Sequence, residues 1–220
     1  MNRERLDGIG MTSQRARDRL VDRLRGLGIT SPAVLGVIAA TPRHIFVDEA
    51  LSSHAYENKS LPIGFGQTIS QPYTVARMTE VLLECSPCRK VLEVGTGSGY
   101  QAVVLAQLCE EVFTVERIAA LLNRARQCFR DMGLRNIRSR HTDGGQGWPD
   151  NGPYDGIMVT AAMEQIPEEL LTQLAPGGCM VLPLATAQGQ RLQRIRHTGT
   201  SFEMEDMEDV RFVPFLGGKR

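Results

Sequence analysis

The sequence has 220 residues, with 25 Lys or Arg against 25 Asp or Glu, so its formal net charge is zero. This length suits one α/β domain with a sizeable core and leaves little room for a second. The charge balance argues against the broad positive field of a nucleic-acid-binding protein, and no apolar stretch approaches membrane-spanning length. Five cysteines without disulfide-framework spacing are typical of a reducing compartment. We therefore expect a cytoplasmic protein without nucleic-acid or membrane partners.

The pattern along the chain predicts a single domain over residues 1–220, divided into four parts. Residues 1–10 carry charge without apolar periodicity and predict a frayed tail. Residues 11–88 predict N-terminal helices and a loop, residues 89–185 alternating strands and helices, and residues 186–220 a C-terminal β region. Alternating β and α units indicate a parallel sheet with crossover helices. The expected fold is α/β and Rossmann-like, a mostly parallel twisted sheet with helices on both faces and an N-terminal helical extension.

The first part of the chain predicts helices separated by turn signals. One helix begins just after Met11 and stops at Gly28, and a second begins at Pro32 after the N-cap residue Ser31. Residues 52–72 are dense in Gly, Ser, Asn and Pro and predict a long loop. Long loops in compact domains are uncommon and are often functional, so this loop is a candidate site. A further helix follows it, from Pro72 to about Glu84.

The alternating part predicts the parallel sheet itself. Strands are expected at 91–94, 112–115, 137–141, 154–160 and 179–182, and helices at 100–108, 118–132 and 167–174. Antiparallel strands are expected at 190–197, 201–204 and 210–214, in an order that the sequence leaves open.

A glycine-rich turn follows the first predicted strand of this part. The candidate ligand-binding residues of the turn are Gly95, Thr96, Gly97 and Ser98, with Glu93 two residues before them. A dinucleotide-binding fingerprint requires a further glycine at position 100, where this chain has Tyr. A carboxylate beside the turn favours a cationic methionine group over a pyrophosphate. The turn therefore favours S-adenosylmethionine as the cofactor.

Further acids follow the next two predicted strands. Glu116 ends the second strand, where a carboxylate can accept hydrogen bonds from both ribose hydroxyls of an adenosine. Asp143 follows the third strand, in a position that suits the adenine amino group. Ligands of open α/β sheets bind beyond the carboxyl ends of the strands, so these acids and Glu93 predict one site. Chance placement of acids at wet strand ends and a nicotinamide oxidoreductase remain the rival interpretations.

Several other features predict no chemistry. Cys85 and Cys88 resemble a redox or metal half-site, but the sequence has no second pair and its histidines are far apart, so no metal is expected. The glycine turn also lacks the Gly-x-Ser-x-Gly pattern of a serine hydrolase. Arg191, Arg194 and Arg196 predict a charged edge strand that protects against aggregation.

Segments spread over nearly the whole chain resemble the protein-L-isoaspartate O-methyltransferase family, which belongs to the class I methyltransferases. They are Leu61-Pro62-Ile63-Gly64-Phe65-Gly66-Gln67-Thr68-Ile69-Ser70-Gln71-Pro72, residues 91–101, Val159-Thr160-Ala161-Ala162, Pro176-Gly177-Gly178 and Val210-Arg211-Phe212-Val213-Pro214. The similarity extends from about Met11 to Pro214, and the Gly-x-Gly-Gln-Thr-Ile-Ser-Gln-Pro run is highly specific to the family.

The resemblance implies an S-adenosylmethionine-dependent protein carboxyl O-methyltransferase. Its substrate is then the free carboxylate of L-isoaspartyl residues in damaged proteins and peptides, and the methyl ester collapses to a succinimide as the first stage of repair. The resemblance also implies that Ser70 is the active-site serine, which positions the carboxylate by a hydrogen bond. Thr68 and Ile69 are expected to close over the cofactor, and Gln67 and Tyr73 are weaker candidates.

The resemblance adds Gly144 and Thr160 to the expected cofactor contacts. Thr142 departs from the family, which usually has glycine before the aspartate that Asp143 matches. Residues after Pro214 match little, so the cofactor contacts that some relatives draw from this tail cannot be carried over to this chain. A methyltransferase for small carboxylates or hydroxyls and a non-catalytic cofactor-binding module remain alternatives. We expect a monomer.

Overall fold

The computed structural model of the chain describes residue 6 and residues 8–85 and 88–220. Most of the predicted frayed tail, residues 1–5 and 7, lies outside the described residues. The described strands form a separate hairpin and a seven-stranded sheet. They are β1 (Leu61–Gly64), β2 (Gln67–Ile69), β3 (Lys90–Val94), β4 (Glu111–Glu116), β5 (Ile137–His141), β6 (Tyr154–Val159), β7 (Leu174–Thr186), β8 (Gly189–His197) and β9 (Phe202–Val210).

The helices lie mainly before the sheet and in its crossover connections. They are α1 (Gln14–Gly26), α2 (Pro32–Ala40), α3 (Pro72–Cys85), α4 (Tyr100–Ala106), α5 (Ala119–Asp131) and α6 (Glu168–Leu171), with 3-10 helices at Gly10–Thr12, Arg43–Phe46, Glu49–His54, Gly144–Gln146 and Pro149–Asn151. The predicted N-cap of α2 is confirmed, because the Ser31 hydroxyl accepts the Val34 N–H at 3.4 Å. Among the described residues, no helix combines the length and apolarity that crossing a membrane requires.

The strands of the sheet are ordered β5-β4-β3-β6-β7-β8-β9. Neighbours from β5 to β7 are parallel, and β8 and β9 continue as an antiparallel meander. The chain builds outward from β3 to β5 and then returns to the other side of β3 as β6. This reversal creates a topological switch point between β3 and β6, where ligands of open α/β sheets bind.

The central strands β3, β4 and β6 are buried on both faces of the sheet, with alternate residues of each strand packing on opposite sides. Val91 and Val112 join one apolar cluster with residues of α1 to α5. Leu92 and Phe113 join a second cluster on the other face, which includes Leu170 of α6. Burial on both faces explains the continuous apolar runs of the central strands. The predicted Rossmann-like α/β fold with an N-terminal helical extension is confirmed.

The prediction of a long loop over residues 52–72 is wrong. The segment contains the hairpin of β1 and β2, in which Leu61 pairs with Ile69. Strands of four and three residues are too short to show an alternating pattern in the sequence. Phe65 at the tip has a φ of 56°, and glycine precedes and follows it. The glycines that suggested a loop therefore form the turn of a hairpin.

Other boundaries in the C-terminal half also differ from the prediction. The helix expected at 167–174 is limited to α6, and the strand expected at 179–182 extends over all of β7. Leu174 at its start pairs with Tyr154 of β6, and its residues from Cys179 to Thr186 pair with β8. The separate strand expected at 210–214 does not form, because β9 ends at Val210 and Pro214 makes only an isolated bridge with Ala162.

The prediction of an arginine-studded edge strand is also wrong. Arg191, Arg194 and Arg196 lie on β8, which pairs with β7 on one side and β9 on the other. Arg191 pairs with Asp209 at 2.9 Å, and Arg194 contacts Glu84 at 3.1 Å. The edge strand on this side of the sheet is β9, and its Asp209 and Glu205 pair with Arg191 and Arg194 of β8.

Candidate functional site

The glycine turn lies at the switch point, directly after β3 and beside the end of β6. Thr160 donates its hydroxyl to the Gly95 carbonyl at 2.7 Å and its N–H to the Val94 carbonyl at 3.0 Å. Gly95 has a φ of 103°, and a Cβ atom there would lie 2.4 Å from the Thr160 hydroxyl oxygen. Only glycine permits this approach, so residue 95 joins the turn to the end of β6.

Glu116 ends β4 with its carboxylate against the same turn. Oε2 accepts the Gly97 N–H at 2.8 Å, and Oε1 accepts the Ile118 N–H at 2.9 Å. The residue is buried. Each carboxylate oxygen has a second lone pair, so Glu116 can hold the turn and still accept hydrogen bonds from ligand hydroxyls.

Glu93 lies within β3 and is fully buried. Its Oε2 accepts a hydrogen bond from the Thr114 hydroxyl at 2.5 Å, and Thr114 in turn contacts the Thr96 hydroxyl at 2.6 Å. Burial raises the pKa of Glu93 to about 8, against the hydrogen bond from Thr114, which lowers it. The other oxygen, Oε1, has no hydrogen-bond partner among the described residues. A buried carboxyl with a free oxygen suits a cationic group or an N–H donor of a ligand.

The inner cavity opens beyond the carboxyl ends of β3, β4 and β6. Every predicted site residue except Asp143 and the weaker candidate Tyr73 lines it: Gln67, Thr68, Ile69, Ser70, Glu93, Gly95, Thr96, Gly97, Ser98, Glu116, Gly144 and Thr160. Apolar side chains complete the wall, among them Val75, Met78, Ile118 and Phe215. Acidic groups beside apolar surface fit the hydroxyl and amino groups and the adenine ring of S-adenosylmethionine.

Asp143 lies outside this lining. Its Oδ1 accepts the Gly145 N–H at 2.9 Å, and its Oδ2 accepts the Gly218 N–H at 2.6 Å. The carboxylate thus anchors the tail segment, which we define as residues 213–220. A contact from Asp143 to the adenine amino group stays a prediction.

The tail segment closes one side of the inner cavity. Phe215 lies on the cavity wall. Further along, the Arg220 N–H donates to the Arg117 carbonyl at 2.7 Å, and the Arg220 carbonyl accepts the Ala119 N–H of α5 at 2.9 Å. The residues after Pro214, for which the resemblance allowed no cofactor contact to be carried over, thus form part of the wall of the inner cavity.

Ser70 follows β2 and is held through its main chain by Arg43. The Arg43 side chain is fully buried; its Nη2 donates to the Ser70 carbonyl at 2.7 Å and its Nε to the Ala55 carbonyl at 2.9 Å. Burial lowers the pKa of Arg43 to about 10, so the guanidinium remains charged at neutral pH. The Ser70 hydroxyl itself has no hydrogen-bond partner among the described residues.

A second cavity, which we call the outer cavity, adjoins Ser70 and is lined by residues around β2 and by the end of β9 with the residues after it. Its lining comprises Ser60, Thr68, Ser70, Gln71, Thr74, Thr160, Asp209, Val210, Arg211, Phe212 and Val213. Thr68, Ser70, Thr160 and Val213 line both cavities, and we call these four residues the junction. The Val213 carbonyl accepts the Ala162 N–H at 2.8 Å, while the Val213 N–H has no partner within the described residues. The junction thus contains unused donors, among them the Ser70 hydroxyl and the Val213 main-chain N–H.

Cys85 and Cys88 lie away from the site, where α3 ends and before β3 begins; residues 86 and 87 between them are outside the described residues. A hydrogen bond from Cys179, together with Arg196 and Arg194, lowers the pKa of Cys85. Burial raises the pKa of Cys88 to about 12. Over the described part of the chain, no group of three His, Cys, Asp or Glu residues could hold a metal ion.

Comparisons with known proteins agree with this geometry. The sequence model of the protein-L-isoaspartate(D-aspartate) O-methyltransferase family matches residues 14–220. The chain belongs to this family. A protein-L-isoaspartate O-methyltransferase 1 of Marinobacter nauticus is 57% identical to it over 213 residues, which cover 97% of each chain.

Solved structures of the family share the fold. A structure named protein-L-isoaspartate O-methyltransferase has a TM-score of 0.83 at 27% identity, covering 91% of this chain and 66% of that one. A Plasmodium falciparum protein described by the same name, solved with S-adenosyl-L-homocysteine, has a TM-score of 0.80 at 23% identity, covering 91% of this chain and 98% of that one. As a member of the family, this chain is an S-adenosylmethionine-dependent methyltransferase.

Arg43 and Val213 were not predicted from the sequence as residues of this methyltransferase site, and the weaker candidate Tyr73 lies outside it. Arg43 was not predicted because charged residues are usually exposed, whereas this arginine is buried. Val213 contributes a main-chain N–H, which no side-chain pattern reveals. Tyr73, a weaker candidate, lines neither cavity; its hydroxyl donates to Glu208 at 2.9 Å.

Proposed function

We propose that this enzyme transfers a methyl group from S-adenosylmethionine to the free carboxylate of L-isoaspartyl residues in damaged proteins and peptides, and thereby initiates their repair. The proposal depends on one observation: the inner and outer cavities share the junction residues Thr68, Ser70, Thr160 and Val213. Methyl transfer requires donor and acceptor to meet in line. Two cavities that meet at unused hydrogen-bond donors support this arrangement, and the name of the Marinobacter nauticus relative supports the choice of acceptor.

The acceptor carboxylate needs no strong general base. A carboxyl group with an ordinary pKa near 4 is already ionised and nucleophilic at neutral pH. The protein must orient one carboxylate oxygen toward the methyl group. The Ser70 hydroxyl and the Val213 N–H are proposed to donate hydrogen bonds to the carboxylate at the junction. Arg43 acts as a positioning residue, because it fixes the main chain of Ser70 from behind.

The cofactor is proposed to occupy the inner cavity. When bound, S-adenosylmethionine supplies an electrophilic methyl group on a sulfonium centre. Glu116 is proposed to accept hydrogen bonds from the ribose hydroxyls, and Glu93 is proposed to face the methionine part with its free oxygen. The glycine turn allows close approach of the ligand, while Ile69 and Phe215 exclude water from the wall.

The test is base-labile methyl incorporation into an isoaspartyl peptide and into its aspartyl twin, which has the same composition and charge. The proposed function predicts rapid labelling of the isoaspartyl peptide and background labelling of the twin. Equal labelling of both, or labelling only of small carboxylic acids, would support the alternative of a methyltransferase for small molecules.

We further propose that the enzyme works as a monomer in the cytoplasm, with isoaspartyl proteins as its partners and without nucleic acid or membrane. The zero formal net charge and the free state of all five cysteines support this proposal. Light scattering of the purified protein tests the monomer, since a dimer would have twice the chain mass of 24.3 kDa.

A further inference from the structure

Arg211 is an unpaired cation on the wall of the outer cavity. Its side chain is exposed and makes no hydrogen bond or ion pair among the described residues. The other charged residue of this lining, Asp209, is already paired with Arg191 at 2.9 Å. The remaining polar lining consists of neutral hydroxyl and amide groups. Arg211 therefore contributes the uncompensated charge of this cavity.

The main chain on both sides of Arg211 is fixed. Val210 pairs with Gln190 in the sheet. The Gln190 side chain then holds Phe212 through both main-chain groups: the Phe212 N–H donates to Oε1 at 2.7 Å, and Nε2 donates to the Phe212 carbonyl at 3.1 Å. Val213 is held in turn by Ala162. The Arg211 side chain thus projects from a preorganised main-chain segment that leads directly to the junction residue Val213.

We propose that Arg211 is a binding subsite for a second carboxylate of the substrate, on a residue one or two positions from the isoaspartyl residue. A guanidinium offers several N–H donors in a planar fork that matches a carboxylate. The Cα atoms of Arg211 and Val213 are at most about 7 Å apart, which is the span of two residues in an extended peptide. This proposal rests on the proposed function, because it assumes that the methylated carboxylate lies at the junction.

The acidic side chain, and not the reacting carboxylate, is the inferred partner of Arg211. The reacting group already meets two donors at the junction, Ser70 and the Val213 N–H. A subsite two residues away would act on substrate affinity and leave the rate of methyl transfer from the bound complex unchanged. The subsite therefore predicts an effect on KM, with kcat preserved.

The experiment uses isoaspartyl peptides that differ at one flanking position, with Glu, Gln or Lys placed two or one residues before or after the isoaspartyl residue. The wild-type enzyme, Arg211→Gln, Arg211→Glu and Arg211→Lys are compared at saturating S-adenosylmethionine. At one flanking position, the wild-type enzyme should have a kcat/KM roughly threefold to fivefold higher for the Glu peptide than for the Lys peptide, as for a partly exposed ion pair. The difference should lie in KM, with kcat unchanged. Arg211→Gln should abolish this preference, Arg211→Glu should reverse it, and Arg211→Lys should retain part of it.

Arg19→Glu is the matched control, because Arg19 is an exposed arginine of α1 that lines neither cavity and its reversal changes the net charge equally. It should keep the wild-type preference. Equal kcat/KM for all peptides in the wild type would overturn the subsite while leaving the proposed function intact. A uniform fall of kcat in Arg211→Gln would also overturn it, because Arg211 would then act on the reacting carboxylate. Absence of methylation on every isoaspartyl peptide would instead contradict the proposed function.

Discussion

The guanidinium of Arg43 donates a hydrogen bond to the main-chain carbonyl of Ser70 at 2.7 Å, from a position that solvent does not reach. The same side chain binds the Ala55 carbonyl, and its guanidinium carbon lies 4.9 Å from the centroid of the Tyr100 ring. A buried cation thereby ties the segment after β2 to the first residue of α4. Arg43 binds the main-chain carbonyl of Ser70 and not its side chain, so the Ser70 hydroxyl remains available to donate a hydrogen bond.

Replacing Arg43 is expected to loosen the segment that carries Ser70. Arg43→Met leaves the buried Ala55 carbonyl and the partly buried Ser70 carbonyl without donors. The buried group alone costs about 1–3 kcal/mol, so the melting temperature should fall by about 2–12 °C. At temperatures where the variant is folded, kcat should fall more than cofactor affinity. Arg43→Lys should recover part of the stability. The exposed Arg25→Met is the control, and wild-type kcat in folded Arg43→Met would contradict the positioning role.

Ser70→Ala tests the donor at the junction. Loss of one hydrogen bond to a charged acceptor is expected to lower kcat on an isoaspartyl peptide roughly tenfold to a hundredfold. Affinity for S-adenosylhomocysteine, measured by calorimetry, should change less than about twofold, because the main chain of the segment is held by Arg43. Ser53→Ala is the matched control, since Ser53 is exposed and lines neither cavity. Unchanged turnover in Ser70→Ala would remove this residue from the mechanism.

Glu116→Ala tests cofactor binding. The substitution removes the proposed ribose acceptor and also releases the N–H groups of Gly97 and Ile118. Affinity for S-adenosylhomocysteine should fall tenfold or more, about 1.4 kcal/mol at least. Glu111→Ala at the other end of β4 is the control and should bind normally. Calorimetry that gives equal affinities for the two variants would contradict the assignment.

The sequence predicted the fold and the inner cavity better than the junction. The turn around Gly95 and the acid Glu116 leave local patterns, because a tight turn demands glycine and a strand end positions its next residue. The hairpin was not predicted, because strands of four and three residues are too short to show a recognisable alternating pattern. Arg43 and Phe215 reach the site only through contacts with distant segments, and the order of β7, β8 and β9 depends on pairing that the sequence does not encode locally.

Cys85 is expected to be the most reactive thiol among the described cysteines. Cys179, Arg196 and Arg194 lower its pKa, whereas burial raises the pKa of Cys88 and of Cys109 to about 12. Limited alkylation with iodoacetamide at pH 7, followed by peptide mass spectrometry, should label Cys85 first, because the thiolate is the reacting form. Arg194→Gln should slow this labelling. Faster labelling of Cys88 would contradict the prediction.

Glu93 makes stability depend on pH in a defined direction. Its pKa is raised by burial from 4.5 to about 8, so between these values the unfolded chain releases a proton that the folded chain keeps. The free energy of unfolding contributed by Glu93 must therefore fall as pH rises through this window. Glu93→Gln removes the titration and keeps the shape. The difference in melting temperature, variant minus wild type, should therefore rise steadily from pH 5 to pH 8. The other titrating groups are common to both proteins and cancel in this difference.

The measurement is thermal unfolding of both proteins without cofactor across this range. A constant difference in melting temperature would mean that Glu93 is ionised in the folded protein and that its free oxygen carries a charge before any ligand binds.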